Sequence, residues 1–247
     1  MLDIFVGVMI PFVGTVCGAL MVFFMRDCIN KKIEQLLLGF SGGVMLAASI
    51  WSLIIPAISH AESMGKLKFL PALVGLILGV LTMVVFDAVL DKNKNASKQK
   101  MIFAITLHNI PEGLAVGVAL AGLVCGDGLG SVWVALSLSI GIAIQNIPEG
   151  AIVAMPLKQN GMSKSGSFLC GALSGIVEPV FAIVAILLVG IMSSVLPYVL
   201  ALAAGCMIFV VVDELIPEMQ GEGGAKVGTF GFMAGFLIMM VLDVVFG

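Results

Sequence analysis

Charge is what this sequence has least of. Only 11% of its 247 residues are Asp, Glu, Lys or Arg, against 60% hydrophobic residues. Charge this thin, with long uncharged runs, excludes an ordinary soluble domain and a nucleic-acid partner, and places the chain in the membrane class. The formal net charge of −3 points to no partner. The five cysteines (Cys17, Cys28, Cys125, Cys170 and Cys206) are scattered and odd in number. No CxxC spacing is present, so neither a disulfide framework nor a metal cluster is expected, and small buried thiols are the simpler reading. There is no GxxxxGK[ST] loop, so no ATP-driven step of that type belongs to this chain. The start, Met1-Leu2-Asp3, lacks the basic stretch of a signal peptide, and its apolar run is too long for one.

What is present is a series of apolar segments, at about 3–24, 36–58, 70–90, 102–124, 131–156, 168–190, 196–216 and 227–246. Each is near the roughly 20 residues that span a bilayer as a helix. The expected fold is therefore an all-α polytopic membrane protein with eight transmembrane helices, residues 1–247 forming one domain. Arg26, Lys31, Lys32, Lys92, Lys94, Lys98, Lys100, Lys158, Lys164 and Lys226 fall on one side of this topology, and only Lys66 and Lys68 on the other. The basic side is cytoplasmic, which sets both termini outside the cytoplasm.

The sequence repeats internally. At an offset of 156, Gly75, Gly79, Met83 and Asp87 fall on Gly231, Gly235, Met239 and Asp243. At 161, Ser52, Ile55 and Pro56 fall on Asp213, Ile216 and Pro217; at 168, Gly7 and Pro11 fall on Gly175 and Pro179. The matched triplets, about 3–90 and 168–246, run in opposite directions. Inverted repeats of this kind mark secondary transporters, with the substrate near the repeat interface. Most of the matched glycines are expected to serve close helix packing.

Between the triplets the pattern Asn-Ile-Pro-Glu-Gly occurs twice, as His108-Asn109-Ile110-Pro111-Glu112-Gly113 and Gln145-Asn146-Ile147-Pro148-Glu149-Gly150. Residues three and four apart share a helix face, so His108, Asn109 and Glu112 converge, as do Gln145, Asn146 and Glu149. Pro111 and Pro148 cannot donate to the carbonyls of Leu107 and Ile144, which bends each helix and frees an oxygen beside the cluster. The two glutamates lie at depths that differ by about 5 Å. Ionisable groups in a span are costly and functional by default. A histidine, two carboxylates and amide oxygens suit a borderline divalent metal such as Zn²⁺, and the absence of thiolates argues against Cu(I). Glu178, before Pro179 in the sixth span, joins this polar set, and its proline is expected to free the carbonyl of Gly175.

Other polar groups carry less. His60 and Glu62, at the outer end of the second span, either capture metal at an entrance or belong to a solvated loop, the simpler account. Asp213, Glu214 and Glu218 are either an exit path or a helix-end charge cluster. Asp87 and Asp243 are expected at the interfaces, and the 16 methionines read as lipid and core filler.

These motifs, with Glu178-Pro179 and Asp213-Glu-Leu-Ile-Pro-Glu218, resemble the ZIP (Zrt/Irt-like protein) family of divalent metal transporters, in particular its GufA-like branch. The resemblance covers essentially the whole chain. It implies a 3+2+3 helix arrangement and a two-metal centre between helices 4, 5 and 6. His108, Glu112, Gln145 and Glu149 would bind one metal. Asn109, Asn146 and Glu178, with Glu112 and Glu149 shared, would bind the second. Some relatives carry Asp where this chain has Asn146, which makes the second position less anionic. The segment from Asp91 to Lys100 has none of the histidines found there in many relatives. The expected activity is transport of Zn²⁺, with Fe²⁺, Mn²⁺ and Cd²⁺ as further candidates, into the cytoplasm by alternating access. The setting is a plasma or inner membrane, with no catalytic cofactor and a homodimer left open. Efflux of the same metals is the alternative. An intramembrane metallohydrolase is disfavoured because HExxH is absent.

Overall fold

The computed structural model describes residues 2–24, 30–91, 109–121, 132–192, 195–221 and 226–246. These residues are helical almost throughout, with no strand among them. We number the helices α1 (Leu2–Leu20, ending in a 3₁₀ turn Met21–Phe23), α2 (Lys31–His60), α3 (Leu70–Asp91), α4 (Asn109–Ala121), α5 (Val132–Gln159), α6 (in two parts, Lys164–Ser174 and Val177–Met192), α7 (Leu196–Gln220) and α8 (Lys226–Phe246). Six of them are long and apolar enough to cross a bilayer, and α3 and α4 contribute shorter apolar stretches, Leu70–Phe86 and Asn109–Ala121. Each of the eight overlaps one of the expected spans. The fourth, expected over 102–124, is described only where α4 lies.

Local chemistry sets several helix ends. Asn30 caps α2 by accepting from the Lys32 amide at 2.9 Å, so α2 begins earlier than hydropathy alone indicates. Ser163 caps α6 through the Gly166 amide. The Lys164 ammonium donates to the Phe23 carbonyl at 3.0 Å, placing a cation at the exit of α1, where the helix dipole favours it.

The sixth span differs from its expected form. It is two helices, Lys164–Ser174 and Val177–Met192, separated at Gly175 and Ile176. Pro179 therefore lies in the first turn of the second half, where a missing amide costs nothing, rather than mid-helix. The Gly175 carbonyl is not released: it accepts from the Glu178 amide at 3.2 Å. By contrast, α5 runs as one helix through Pro148 and Pro156.

Helices α2 and α7 each widen into a π-helical stretch, Ser49–Ile54 and Val211–Leu215, immediately before Ile55-Pro56 and Ile216-Pro217. The prolines cannot close the usual bonds to Ser52 and Asp213, and the preceding amides reach back five residues instead, Ile55 to Ile50 and Ile216 to Val211. The two stretches coincide with the 161-residue sequence offset.

The main packing pairs are α2 with α8, α3 with α7, and α1 with α5. Small residues make the contacts close. A Cβ on Gly43 would collide with the Phe232 carbonyl and one on Gly235 with that of Phe40, so α2 and α8 touch backbone to backbone. Trp51 and Phe236 stack edge-on above this contact, centroids 5.6 Å apart. The outer faces are rich in exposed Leu, Val, Ile and Phe, as a bilayer requires. Of the described cysteines, Cys206 is buried as expected, while Cys17 is exposed.

Adjacent glycines in α2 provide a test. A Cβ on Gly42 would meet only side chains, at 3.4 Å or more, whereas one on Gly43 would strike backbone. Gly43→Ala is expected to cost about 1–3 kcal/mol, and Gly42→Ala much less. Thermal unfolding of the two variants in detergent checks the order.

Candidate metal centre

Polar side chains gather where α1, α4, α5 and the break in α6 meet. Asn109, Glu112, Gln145, Asn146 and Glu178 are each at most 1% exposed, and Thr15 of α1 is 2% exposed. Such groups persist in a helical bundle only when bonded to one another or to a ligand.

Two hydrogen-bonded units make up the cluster. In the first, the Glu178 carboxylate accepts three bonds: from Thr15 Oγ1 at 2.9 Å and Asn109 Nδ2 at 3.1 Å on Oε1, and from Asn146 Nδ2 at 2.8 Å on Oε2. The Asn109 amide also donates to the Ser174 carbonyl, and that of Asn146 to the Pro11 carbonyl. The break in α6 is thereby tied to three neighbouring helices. In the second unit, Gln145 Nε2 donates to Glu112 Oε1 in a short contact between α5 and α4. Glu149 is half-buried, and Ser41 of α2 donates to its Oε1 at 2.9 Å.

The motif glycines let these helices meet. A Cβ on Gly113 would collide with the Glu178 carbonyl, and one on Gly150 with the Thr15 carbonyl. The Gly in each Asn-Ile-Pro-Glu-Gly is thus a docking point, α4 on α6 and α5 on α1.

Once these bonds are made, six buried side-chain oxygens have no hydrogen-bond partner among the described residues; Ser167 Oγ and Asp243 Oδ2 lie outside this cluster, and four belong to it: Asn109 Oδ1, Glu112 Oε2, Gln145 Oε1 and Asn146 Oδ1. A buried acceptor without a partner costs about 1–3 kcal/mol, so four within one small cluster mark a place where a ligand is owed. They are all oxygens, one of them from a carboxyl group, which suits a divalent cation and not an anion. No three His, Cys, Asp or Glu side chains among the described residues are close enough to hold a metal by themselves.

The expected site residues divide accordingly. Asn109, Glu112, Gln145, Asn146 and Glu178 are brought together. Glu149 stands at the edge, held by Ser41, while His108 and the Leu107 carbonyl lie outside the described residues. His60 and Glu62 are exposed around the end of α2, and Asp213, Glu214 and Glu218 occupy the π-helical stretch and last turn of α7, with Asp213 and Glu218 exposed. Asp243 is half-buried rather than purely interfacial, since it accepts from Ser52 of α2 at 2.6 Å. Sequence reasoning missed Thr15 and Ser41. Their only signal is position, a hydroxyl next to glycine in Gly14-Thr15 and Ser41-Gly42-Gly43.

The fold and centre define a polytopic helical membrane protein with a buried, anionic, oxygen-lined site. The family model for the ZIP zinc transporter matches residues 91–243. The chain is 36% identical to the zinc transporter ZIPB of Bordetella bronchiseptica, over 96% of this chain and 79% of that protein. It is 33% identical to the zinc transporter GufA of Myxococcus xanthus, over 95% of each, and 31% identical to the zinc transporter ZIP11 of Xenopus tropicalis, over 98% of this chain and 96% of that protein. The chain belongs to the ZIP zinc transporter family.

Ser41 offers a direct probe of the centre's edge. Loss of a bond that orients a ligating carboxylate weakens metal binding about 10–100-fold. Ser41→Ala is expected to lower Zn²⁺ affinity within that range while the protein stays folded, as read by titration calorimetry on the purified variant.

Proposed function

We propose that this protein moves Zn²⁺ into the cytoplasm by alternating access, with Fe²⁺, Mn²⁺ and Cd²⁺ as lesser cargo. The observation that carries this reading is the set of four unpartnered buried oxygens on α4 and α5, beside the carboxylates Glu112 and Glu149. Family membership makes the chain a transporter of zinc or a related divalent metal. Glu112, Gln145 and Glu149 are assigned as ligands, with His108 supplying the imidazole that favours Zn²⁺ over Mg²⁺ or Ca²⁺. Glu178, Asn109 and Asn146 complete the centre. Uptake rather than efflux, a cell-membrane setting and both termini outside the cytoplasm belong to the same proposal. The ten-to-two distribution of Lys and Arg supports the orientation.

The packing suggests how the cargo would change sides. The polar network links α1, α4, α5 and α6 into one group. The pairs α2–α8 and α3–α7 form close contacts of their own. Exchange of partners between the two triplets, the second helix of one on the third of the other, is the pairing an inverted repeat produces. The matched π-helical stretches support that repeat. We assign the site-bearing group as the part that moves against the rest. The Ser41–Glu149 bond, which joins α2 to α5, is then one that must adjust as it moves.

Purified protein in liposomes loaded with a metal-sensitive dye tests the proposal. External Zn²⁺ or Cd²⁺ is expected to enter, and His108→Ala combined with Glu149→Ala to abolish entry. Entry unchanged in the double variant would sink the proposal; export without import would select the efflux alternative.

A further inference from the structure

We infer that the centre of this chain holds one metal ion and not two, because side-chain donors from Asn109, Asn146 and Thr15 stand around Glu178 where a second cation would have to be. The inference rests on the proposed function, since it concerns the stoichiometry of that same site.

The first argument is the bonding of Glu178. Its Oε1 takes Thr15 Oγ1 and Asn109 Nδ2, and its Oε2 takes Asn146 Nδ2, all between 2.8 and 3.1 Å. A carboxylate with three donors is already compensated as an anion. The orientation of Asn146 is not arbitrary. Reversed, its oxygen would sit against Glu178 Oε2, and an ionised Glu178 has no proton to place between them. With the nitrogen turned to Glu178, the oxygens of Asn109 and Asn146 are left without hydrogen-bond partners among the described residues, together with Glu112 Oε2 and Gln145 Oε1. One cation, with its bound waters, answers that set. An ionised Asp at position 146 could not donate, and Glu178 would then face another anion, a pair that a second cation would bridge.

Charge leads to the same result. Glu112, Glu149 and Glu178 bring three negative charges when ionised, and the other members of the cluster are neutral. One dication leaves a single negative charge, which the three donors on Glu178 disperse. Two dications would leave one net positive charge instead, beside the half-buried Glu149 and among Asn109, Glu112, Gln145, Asn146 and Glu178, each at most 1% exposed, where the neutral donors on Glu178 cannot disperse it and no further anion stands in the cluster among the described residues. Glu178 is, on this account, a positioning residue: it holds both asparagine amides so that only their oxygens remain for the cargo. Thr15 fixes Glu178 from α1 and is itself held tightly, with Gly175 packed against it so closely that a Cβ there would lie 2.8 Å from Thr15 Cβ.

Metal content decides the matter. Purified protein in detergent, saturated with ZnCl₂ and freed of excess, is expected to contain one Zn²⁺ per chain by elemental analysis and one binding event by calorimetry. Asn146→Asp is expected to raise both to two. Asn109→Asp, which also removes one donor and adds one charge, is the second variant if the first fails to fold. Thr15→Val is expected to weaken the single site about 10-fold, and Thr15→Ser to restore it, as for a group that orients a ligand set. Two Zn²⁺ in the unaltered protein with uptake intact would overturn this inference alone. So would a folded Asp variant that still binds one, or Thr15→Val with unaltered affinity. No bound metal and no uptake would overturn the transport reading as well.

Discussion

A carboxylate buried in a helical bundle needs donors, and the arrangement of Glu178 shows how much of the structure follows from that need. Hydrogen bonds to a charged group are worth about 1.5–3 kcal/mol each, and Glu178 has three, from α1, α4 and α5. To receive them the carboxylate must lie where those helices meet. That position requires α6 to break at Gly175, α4 to press on the Glu178 backbone at Gly113, and α5 to press on Thr15 at Gly150. The glycines in the two motifs and the helix break are therefore parts of one solution to one buried charge.

Elsewhere the bundle uses the same means for a different end. Glycines on α2, α3, α7 and α8 remove side chains so that backbones come close, away from the buried carboxylates. In a bilayer, apolar side chains gain nothing by leaving lipid for another helix, so close backbone packing is the main attraction available. The π-helical stretches before Pro56 and Pro217 belong to this frame as well. They absorb the missing proline bonds by widening the helix and so keep α2 and α7 continuous across the membrane.

Much of this was legible in the sequence, for physical reasons. Polar residues at helical spacing in apolar runs have few innocent explanations, so Asn109, Glu112, Gln145, Asn146 and Glu178 were all identifiable, and the structure gathers them. Thr15 and Ser41 were not, because a lone hydroxyl in a membrane helix usually bonds its own helix four residues back, as Ser49 does to Met45. Which hydroxyls bond elsewhere depends on neighbouring helices. The break in α6 was hidden for a related reason. Ser174-Gly175-Ile176-Val177 has the hydropathy of a continuous helix, and Pro179 reads as a mid-helix kink until the chain before it is seen to have stopped. Both misses concern contacts set by tertiary packing, which local pattern does not encode.

Among the described residues, the hydrogen-bond donors that meet Glu112, Glu149 and Glu178 include a threonine, a serine, two asparagines and a glutamine, all of them neutral. An arginine or lysine would compensate a carboxylate more strongly, but it would cancel the negative charge that attracts a cation, and would have to be displaced whenever cargo arrived. Neutral donors avoid this conflict. Each is strong enough to orient a carboxylate and too weak to replace a metal. An amide has the further property that its nitrogen can steady an anion while its oxygen stays free to meet a cation. Gln145 does this for Glu112, and Asn109 and Asn146 for Glu178, each with a free oxygen on the same side chain. In the proposed transport, the two copies of the motif would thus give the site its rigidity and its affinity from the same residues. That economy matters in a membrane, where every additional polar group must itself be satisfied.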